Sequence, residues 1–227
     1  MPTLFLRTRI PDLAERMDDP ACDRDRLDRT YHHFTTLNRL IAGWGRVYTR
    51  WIRPRLEQGS ATLVDLGTGG ADVPWLMARR AERDGFSLTV TGVDPDPRAI
   101  EYARRREGVE AIACDSAALV AAGRSFDFVV SNHVMHHLTD AQRTGFLADS
   151  ECLATVAAVH NDIRRDDLGY AGFSIFGSAF PGSFIREDGL TSIRRSYTRA
   201  ELAAVLPDGW RAVGIAPFRL LSVHEKR

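Results

Sequence analysis

The feature that most constrains this chain is a glycine-rich loop at residues 67–70, set between a short apolar run and a helical pattern. Residues 61–66 are rich in strand-forming side chains, and residues 73–83 carry apolar side chains at helical spacing. A strand, a glycine turn and a helix in that order let a ligand approach the backbone closely, beside the free N–H groups of the helix N-terminus. The loop therefore predicts a ligand site at the end of a buried strand.

The same alternation of strands and helices continues along the chain to residue 160. The predicted strands are residues 61–66, 88–93, 109–113, 126–131 and 153–160, and the predicted helices are residues 73–83, 97–106, 116–122 and 141–148. Such a succession requires a parallel sheet with helices on both faces, and ligands bind at the carboxyl ends of its strands. The predicted fold class is therefore α/β, with a doubly wound, mostly parallel sheet.

Two segments depart from this alternation. Residues 1–58 carry aromatic and aliphatic side chains at helical spacing, and we expect a helical cap there on an α/β domain at residues 59–227. Residues 167–189 mix aromatic with small side chains, which suits either a lid inserted over the substrate or an ordinary packed helix. The remaining predicted elements are a helix and two strands, at residues 198–206, 210–216 and 219–224.

Composition excludes several classes of protein. The 30 basic and 30 acidic residues cancel to a net charge of +0, which argues against binding nucleic acid mainly through phosphate neutralisation. The 3 cysteines are far apart and odd in number, so they fit a reducing compartment rather than a disulfide framework. No apolar run approaches the ~18 residues of a membrane span, and the first residues lack a secretory apolar core. We expect a cytoplasmic protein that binds neither nucleic acid nor membrane.

Acidic side chains surround the glycine loop, where a phosphate-binding loop would avoid them. Gly67 and Gly69 fit the first two positions of a dinucleotide-binding fingerprint, but Asp72 stands where a third glycine or alanine is needed. Asp65 and Asp72 would repel a pyrophosphate and favour a ligand with positive charge. S-adenosylmethionine has that chemistry, because it carries an ammonium and a sulfonium group but no phosphate.

Two further acids follow the second and third predicted strands. Asp94 is placed to accept the ribose hydroxyls, and Asp115 is placed to accept the adenine amino group. One carboxylate after a strand is often only a helix cap, but acids after three successive strands favour a cofactor site. The predicted cofactor-binding residues are Asp65, Gly67, Thr68, Gly69, Asp72, Asp94, Pro95, Asp115, Ser116 and Asn132.

With these motifs the chain resembles the class I, Rossmann-like S-adenosylmethionine-dependent methyltransferases over residues 60–165. The resemblance is carried by the loop at 65–71, the acids Asp94 and Asp115, and the segment at 131–138. It implies a methyltransferase whose last two strands form a hairpin with the final strand antiparallel. The helical first segment and the Asn-His-x-x-His-His sequence are similar to the small-molecule branch that includes quinone-biosynthesis and polyketide-associated O-methyltransferases.

Three histidines follow the fourth predicted strand. A phenolic acceptor, with a pKa near ~10, has to lose its proton as it attacks a methyl group, and a neutral histidine is a workable general base. We predict His133 as that base, with His136 or His137 orienting it or holding the acceptor, although each could instead cap or pack. The predicted function is O-methylation of a phenolic or enolic hydroxyl on a small natural-product or quinone-like acceptor.

Several alternatives stay open on these residues. C-methylation of an activated aromatic ring would use the same fold and histidines, and a non-catalytic partner protein would keep the same cofactor loop. A metal site built on the three histidines and Asp162 departs from the Glu-x-x-Glu-His arrangement of some quinone-pathway O-methyltransferases, so no metal is predicted. The expected partner is a small aromatic or polyketide-like substrate, with the chain acting as a monomer or a homodimer.

Overall fold

One mixed sheet of seven strands forms the centre of residues 6–226, which are the residues that this computed structural model describes. The strands are β1 (Ala61–Leu66), β2 (Leu88–Asp94), β3 (Val109–Ala113), β4 (Phe126–Asn132), β5 (Ala154–Ile163), β6 (Trp210–Ile215) and β7 (Arg219–Glu225). Their spatial order is β3-β2-β1-β4-β5-β7-β6. Neighbours among β1 to β5 are parallel, and β7 runs antiparallel to both β5 and β6. The order reverses between β1 and β4, which opens a crevice at the carboxyl ends of those strands.

Helices cover both faces of this sheet. They are α1 (Arg24–Ile41), α2 (Trp44–Val47), α3 (Arg53–Leu56), α4 (Asp72–Arg83), α5 (Pro97–Ala103), α6 (Ser116–Ala121), α7 (Asp140–Leu153), α8 (Asp167–Phe176), α9 (Ile185–Arg195) and α10 (Arg199–Val205). A π-helical turn, Tyr48–Ile52, joins α2 to α3. Within residues 6–226, none of the helices is long and apolar enough to cross a membrane.

Alternation along the strands divides the core into two layers. Leu63 and Phe128 point to the layer that holds Met77 of α4, whereas Val64 and Val129 point to the opposite layer with α7 and α10. Side chains that alternate in this way bury both faces of the sheet. The predicted α/β fold with a doubly wound, mostly parallel sheet and an antiparallel C-terminal strand is confirmed.

Two predicted elements end several residues before the observed ones. The helix predicted at 141–148 runs from Asp140 to Leu153, since the Thr139–Gln142 capping box starts it early and buried Leu147, Ser150 and Leu153 extend it. The strand predicted at 153–160 begins later and reaches Ile163, because β7 pairs with β5 along its length up to Ile163 and Arg219. This extension matters for function, since it carries both strands to the crevice.

The segment before β1 packs against the rest of the chain. Between residues 44 and 56, Trp44, Tyr48 and Leu56 lie in the same apolar layer as the strand residues. Helix α1 instead covers the glycine loop, where a Cβ added at Gly70 would lie 3.0 Å from the Cβ of Tyr31. The division of the chain into a helical cap and an α/β domain at residue 58 stays a prediction. Residues 1–5 of the predicted cap and residue 227 of the predicted domain lie outside the described residues.

The segment predicted as a lid or a packed helix contains α8, a short 3-10 helix at Gly177–Ala179 and the start of α9. Phe173 and Phe176 pack toward Leu37 and Ile41 of α1. Close packing of α8 on α9 needs a glycine, because a Cβ at Gly189 would lie 2.2 Å from the Phe173 ring. Helices α1 and α8 therefore stand together over the crevice.

Two leucines of α1 test whether this helix belongs to the folded core. Leu27 is 0% exposed and packs among Tyr31, Ala99 and Phe184, whereas Leu40 is 64% exposed. We expect Leu27→Ala to lower the free energy of unfolding by about 2–5 kcal/mol, because it leaves a cavity in the core. The control Leu40→Ala should change it by less than about 0.5 kcal/mol. Urea unfolding measures both, and equal small effects would show that α1 is not part of the cooperative core.

Candidate active site

A cavity of about 390 Å³ lies at the crevice, between the ends of the central strands and the helices α1 and α8. One part of its lining is acidic and glycine-rich, and comprises Asp65, Gly67, Thr68, Gly69, Gly70, Asp72 and Asp94. Another part is apolar, and comprises Phe34, Ile41, Ile163, Phe173, Phe176, Pro217 and Phe218. The cavity therefore joins a charged compartment to an aromatic one.

The glycine loop is shaped by two residues in the left-handed region, Gly67 with φ 69° and Gly69 with φ 54°. A Cβ at Gly67 would lie 2.6 Å from Cγ2 of Val134, so the chain after β4 packs directly on the loop. Only glycine accepts both the backbone angle and this contact. The loop thus sets the distance between the ends of β1 and β4.

Three carboxyl groups line the acidic compartment, of which Asp65 and Asp72 are buried and Asp94 is half-buried. Asp65 Oδ2 accepts the Thr68 hydroxyl at 2.8 Å, while its buried Oδ1 has no hydrogen-bond partner. Asp94 accepts the backbone N–H of Gly69 at 2.9 Å, and Asp72 accepts the Asn38 amide at 2.9 Å. Burial raises the pKa of all three groups, and their mutual repulsion adds to this for Asp65.

This arrangement fits a cationic ligand. A buried acceptor without a donor is costly, so the orphaned Asp65 Oδ1 favours a ligand that brings an N–H. The ammonium group of S-adenosylmethionine supplies that donor together with a positive charge. The residues present in the acidic compartment therefore fit this cofactor.

Three of the predicted cofactor residues do not reach the cavity lining within the described chain: Pro95, Asp115 and Ser116. The exposed Asp115 carboxylate accepts the backbone N–H of Ala118 at 2.9 Å, and so caps α6. The Ser116 hydroxyl donates to Asp149 at 2.6 Å. The local capping role satisfies Asp115, so the structure does not bring the predicted adenine contact to the cavity.

A chain of hydrogen bonds crosses the crevice from α4, the helix after the glycine loop, to the C-terminal strand β7. The Asn132 amide N–H donates to Asn38 Oδ1 at 3.1 Å, and Asn38 in turn donates to Asp72. Asn132 Oδ1 accepts from Trp44 Nε1 at 3.2 Å and from Arg219 Nη2 at 2.9 Å. Asn38 and Arg219 were missed in the sequence, because nothing local marks one asparagine or one of many arginines as part of a site.

His133 is held neutral at the cavity wall. Its backbone lies in the left-handed region with φ 63°, and its N–H donates to the Asn161 carbonyl at 2.9 Å. A guanidinium only donates, so the contact of 2.9 Å from Arg219 Nη1 means that His133 Nε2 accepts and that Nδ1 carries the proton. Burial and the Arg219 charge hold the pKa of His133 well below its usual value. The nitrogen that a general base would use is therefore already occupied.

His136 lies outside the cavity lining and is fully buried between two carboxylates. Its Nδ1 lies 2.7 Å from Asp162 Oδ1, and its Nε2 lies 3.2 Å from Glu15 Oε1. Burial opposes the charge, but the two carboxylates outweigh it and raise the pKa of His136 to about 9. With both ring nitrogens engaged in this way, neither is free to hold an acceptor, one of the roles predicted for His136. Its role here is to join β5 to the segment that contains Glu15.

His137 does line the cavity, beside two acids. Its Nδ1 lies 3.3 Å from Asp18 and its Nε2 lies 3.7 Å from Glu15. The ligand atoms of Glu15, His136 and His137 lie within 4.8 Å of one another, a spacing that a metal ion could use. Arg195 Nη1, however, lies 3.7 Å from Glu15 Oε1, so the protein already supplies positive charge to this carboxylate. We assign no ion to the group.

Comparison with known proteins agrees with this geometry. The family described as "Methyltransferase domain" matches residues 63–154, which hold β1 to β4, the glycine loop and the buried acids. This part of the chain is thus similar to methyltransferase domains. A ubiquinone biosynthesis O-methyltransferase from Methylobacterium sp. (strain 4-46) is 36% identical over 84 residues, or 35% of this chain and 31% of that relative. The chain thus matches about a third of the relative's length.

Two solved methyltransferases share the Rossmann-like fold of this domain. Magnesium protoporphyrin IX methyltransferase from Synechocystis PCC 6803, with bound S-adenosylhomocysteine, is 16% identical over 87% of this chain and 83% of its own, with a TM-score of 0.51. A plantazolicin methyltransferase in complex with S-adenosylhomocysteine is 11% identical over 90% of this chain and 95% of its own, with a TM-score of 0.62. At these identities the likeness concerns the fold.

The buried His136 predicts how the stability of the protein depends on pH. His136 keeps its proton in the folded protein up to about pH 9, against a usual pKa of 6.5. Its stabilising contribution is therefore complete below pH 6.5 and is lost as the pH rises through about 9. We expect the Tm to fall by several degrees over this interval, since 1 kcal/mol corresponds to ~2–4 °C in a domain of this size.

The variant His136→Asn should be less stable at pH 6.5 but show a smaller loss of Tm toward pH 9. The exposed His32 provides the matched control, and His32→Asn should follow the wild type at every pH. Calorimetric scans across this range measure both. An equal fall in Tm toward pH 9 in the wild type and in His136→Asn would contradict a charged His136.

Proposed function

We propose that the protein transfers a methyl group from S-adenosylmethionine to a hydroxyl oxygen of a small aromatic acceptor of phenolic or enolic type. The observation that carries this proposal is the continuity of the acidic and the aromatic compartments in one cavity. The acidic part suits a cationic cofactor, and the aromatic part suits a flat apolar ring. Arg219 and His133 are polar groups of the cavity wall, and Arg219 directly follows Phe218 of the aromatic compartment.

Asp65, Asp94 and the loop at 67–70 would hold the cofactor. When bound, S-adenosylmethionine supplies a methyl group that is activated by a positively charged sulfur. The protein contributes alignment above all, since fixing two reactants in a reactive geometry lowers a barrier by ~7–11 kcal/mol. Helices α1 and α8 cover the cavity and so limit the access of water to the reacting groups.

The side chains of the aromatic compartment support the proposed acceptor class. Phe34, Phe173, Phe176 and Phe218 offer ring faces and edges to an aromatic acceptor. The name of the matched relative, a ubiquinone biosynthesis O-methyltransferase, supports an oxygen acceptor on a quinone-like ring. A small natural-product phenol has the same recognition chemistry.

The geometry favours a positioning role for His133 over a role as general base. Its pKa lies well below that of free histidine, so it is a weak match for a phenol with a pKa near ~10. Protonation of Nε2 would also place a second cation against Arg219, 2.9 Å away. We propose instead that His133 fixes the orientation of Arg219.

Incubation with S-adenosylmethionine and a panel of simple phenols tests the proposed reaction. We expect release of S-adenosylhomocysteine and a methoxy signal in the NMR spectrum of the product. An aromatic C–CH3 signal without a methoxy signal would refute O-methylation and identify C-methylation. Binding of S-adenosylhomocysteine without turnover of any phenol would favour the non-catalytic alternative.

Two aspartates provide a matched test of the cofactor site. Asp65→Asn removes the negative charge and replaces one carboxylate oxygen with an amide NH2, and a lost hydrogen bond to a charged group weakens binding roughly tenfold or more. Asp115→Asn keeps a side chain that can cap α6, so we expect its affinity for S-adenosylhomocysteine to match the wild type. Isothermal titration calorimetry measures both. An unchanged affinity in Asp65→Asn would contradict the assignment of Asp65, and a loss in Asp115→Asn would restore the adenine contact at Asp115.

A further inference from the structure

Arg219 is a buried cation that faces the cavity. Its side chain lies on β7 and is 4% exposed, yet the residue lines the cavity beside Phe218. Nε donates to Asn161 Oδ1 at 3.0 Å, Nη1 to His133 Nε2 at 2.9 Å, and Nη2 to Asn132 Oδ1 at 2.9 Å. Each of these three acceptors is neutral, so the guanidinium is positioned without being neutralised.

The charged groups on the neighbouring elements form no direct ion pair with this cation among the described residues. Within residues 6–226, no carboxylate oxygen lies within the ion-pair distance of 4.0 Å from the Arg219 guanidinium. Asp162 on β5 is the acid that acts on it from a distance, and this acid already pairs with His136. Arg164 on the same edge pairs with Asp166 at 2.9 Å. A buried charge of this kind is costly unless a ligand balances it.

The guanidinium also has N–H groups that these three hydrogen bonds do not use. It carries five N–H groups, and the three hydrogen bonds use one on each nitrogen, which leaves one N–H on Nη1 and one on Nη2. A guanidinium with two unused N–H groups can donate them to an oxyanion or a carboxylate. The fixed position of the other three donors reduces the entropy lost when such a ligand binds.

We propose that Arg219 is the specificity-determining residue that selects the acceptor as an oxyanion, a phenolate or enolate, so that the substrate class is an acidic aromatic hydroxyl compound. This inference rests on the proposed function above. On binding, the acceptor O–H bond breaks, the proton passes to solvent water, and the oxygen keeps the electron pair. A cation in a desolvated site stabilises that negative charge more strongly than water-screened charges do.

The test uses para-nitrophenol, because its ionised and neutral forms differ in absorbance. The full chain is titrated with this probe across a range of pH, both with and without S-adenosylhomocysteine. We expect the pKa of the bound probe to lie at least one unit below that of the free probe. Such a shift means that the protein binds the ionised probe roughly tenfold more tightly than the neutral probe. An unshifted or raised pKa would overturn the proposal.

Two arginines that line the same cavity make a matched pair of variants. Arg219→Gln should abolish the shift of the probe pKa and weaken binding of the anion roughly tenfold. Arg219→Lys should restore part of the shift, because it returns the charge without the fork of donors. Arg164→Gln, which loses a cation already paired with Asp166, should keep the shift of the wild type. A shift that persists in Arg219→Gln would overturn the proposal.

Calorimetry with S-adenosylhomocysteine separates the acceptor oxyanion from the other source of the same chemistry, the carboxylate of the cofactor. We expect the affinity of Arg219→Gln for S-adenosylhomocysteine to stay within about twofold of the wild type. Because a tenfold change in affinity corresponds to ~1.4 kcal/mol, this is a change of less than about 0.5 kcal/mol in binding free energy. A tenfold loss of this affinity in Arg219→Gln, with the same pKa of the bound probe as in the wild type, would assign Arg219 to the cofactor carboxylate and overturn the proposal.

One comparison needs no variant and therefore holds even if Arg219→Gln does not fold. The wild type should bind ionised para-nitrophenol at least roughly tenfold more tightly than para-nitroanisole, its neutral methyl ether. Equal binding would overturn the proposal. A lowered probe pKa in a protein that methylates no phenol would refute the proposed function and leave the anion site standing, whereas methylation without a lowered pKa would refute only the anion site.

Discussion

The hydrogen-bonded chain from Asp72 through Asn38 and Asn132 to Arg219 is the interaction on which the geometry of the site depends. It joins four elements that lie far apart in the sequence: α4, α1, the end of β4 and the start of β7. A buried polar network stabilises one arrangement when every member is satisfied, and it becomes costly when one member is lost. The acidic and cationic parts of the cavity are therefore held at a fixed distance by side chains rather than by the sheet alone.

The sheet and the cofactor loop could be predicted because their signals are local. Short apolar runs between the predicted helices identified β1 and β3 with their observed bounds, and the glycines at 67 and 69 marked the turn after β1. Asp65 was found because it lies just before that loop, and Asp94 was found because it directly follows the second predicted strand. Asp115 carries the same local signal, yet its carboxylate caps α6 instead. A carboxylate after a strand thus predicts a polar role but does not distinguish a cap from a ligand.

The rest of the site could not be predicted, because its contacts join distant parts of the chain. Glu15 precedes the first long helix and meets His136 at a separation of 121 residues. That contact, with Asp162 on the other side, makes His136 a buried cation, whereas the sequence presents it only as one of three adjacent histidines. Arg219 likewise reaches His133 across 86 residues and changes it from a candidate base into a neutral acceptor. In both cases the protonation state depends on tertiary partners rather than on the motif.

The separation of charge within the cavity gives a physical reason for this layout. Acids line the part proposed for the cofactor, and a cation lines the part proposed for the acceptor. Methyl transfer from a sulfonium to an oxyanion consumes one positive and one negative charge, so its products are less charged than its reactants. An apolar enclosure favours such a loss of charge, but on its own it would also prevent the two ions from entering. Opposite charges fixed at the two ends resolve this conflict, because each stabilises one reactant on entry while the aromatic walls keep the dielectric low between them.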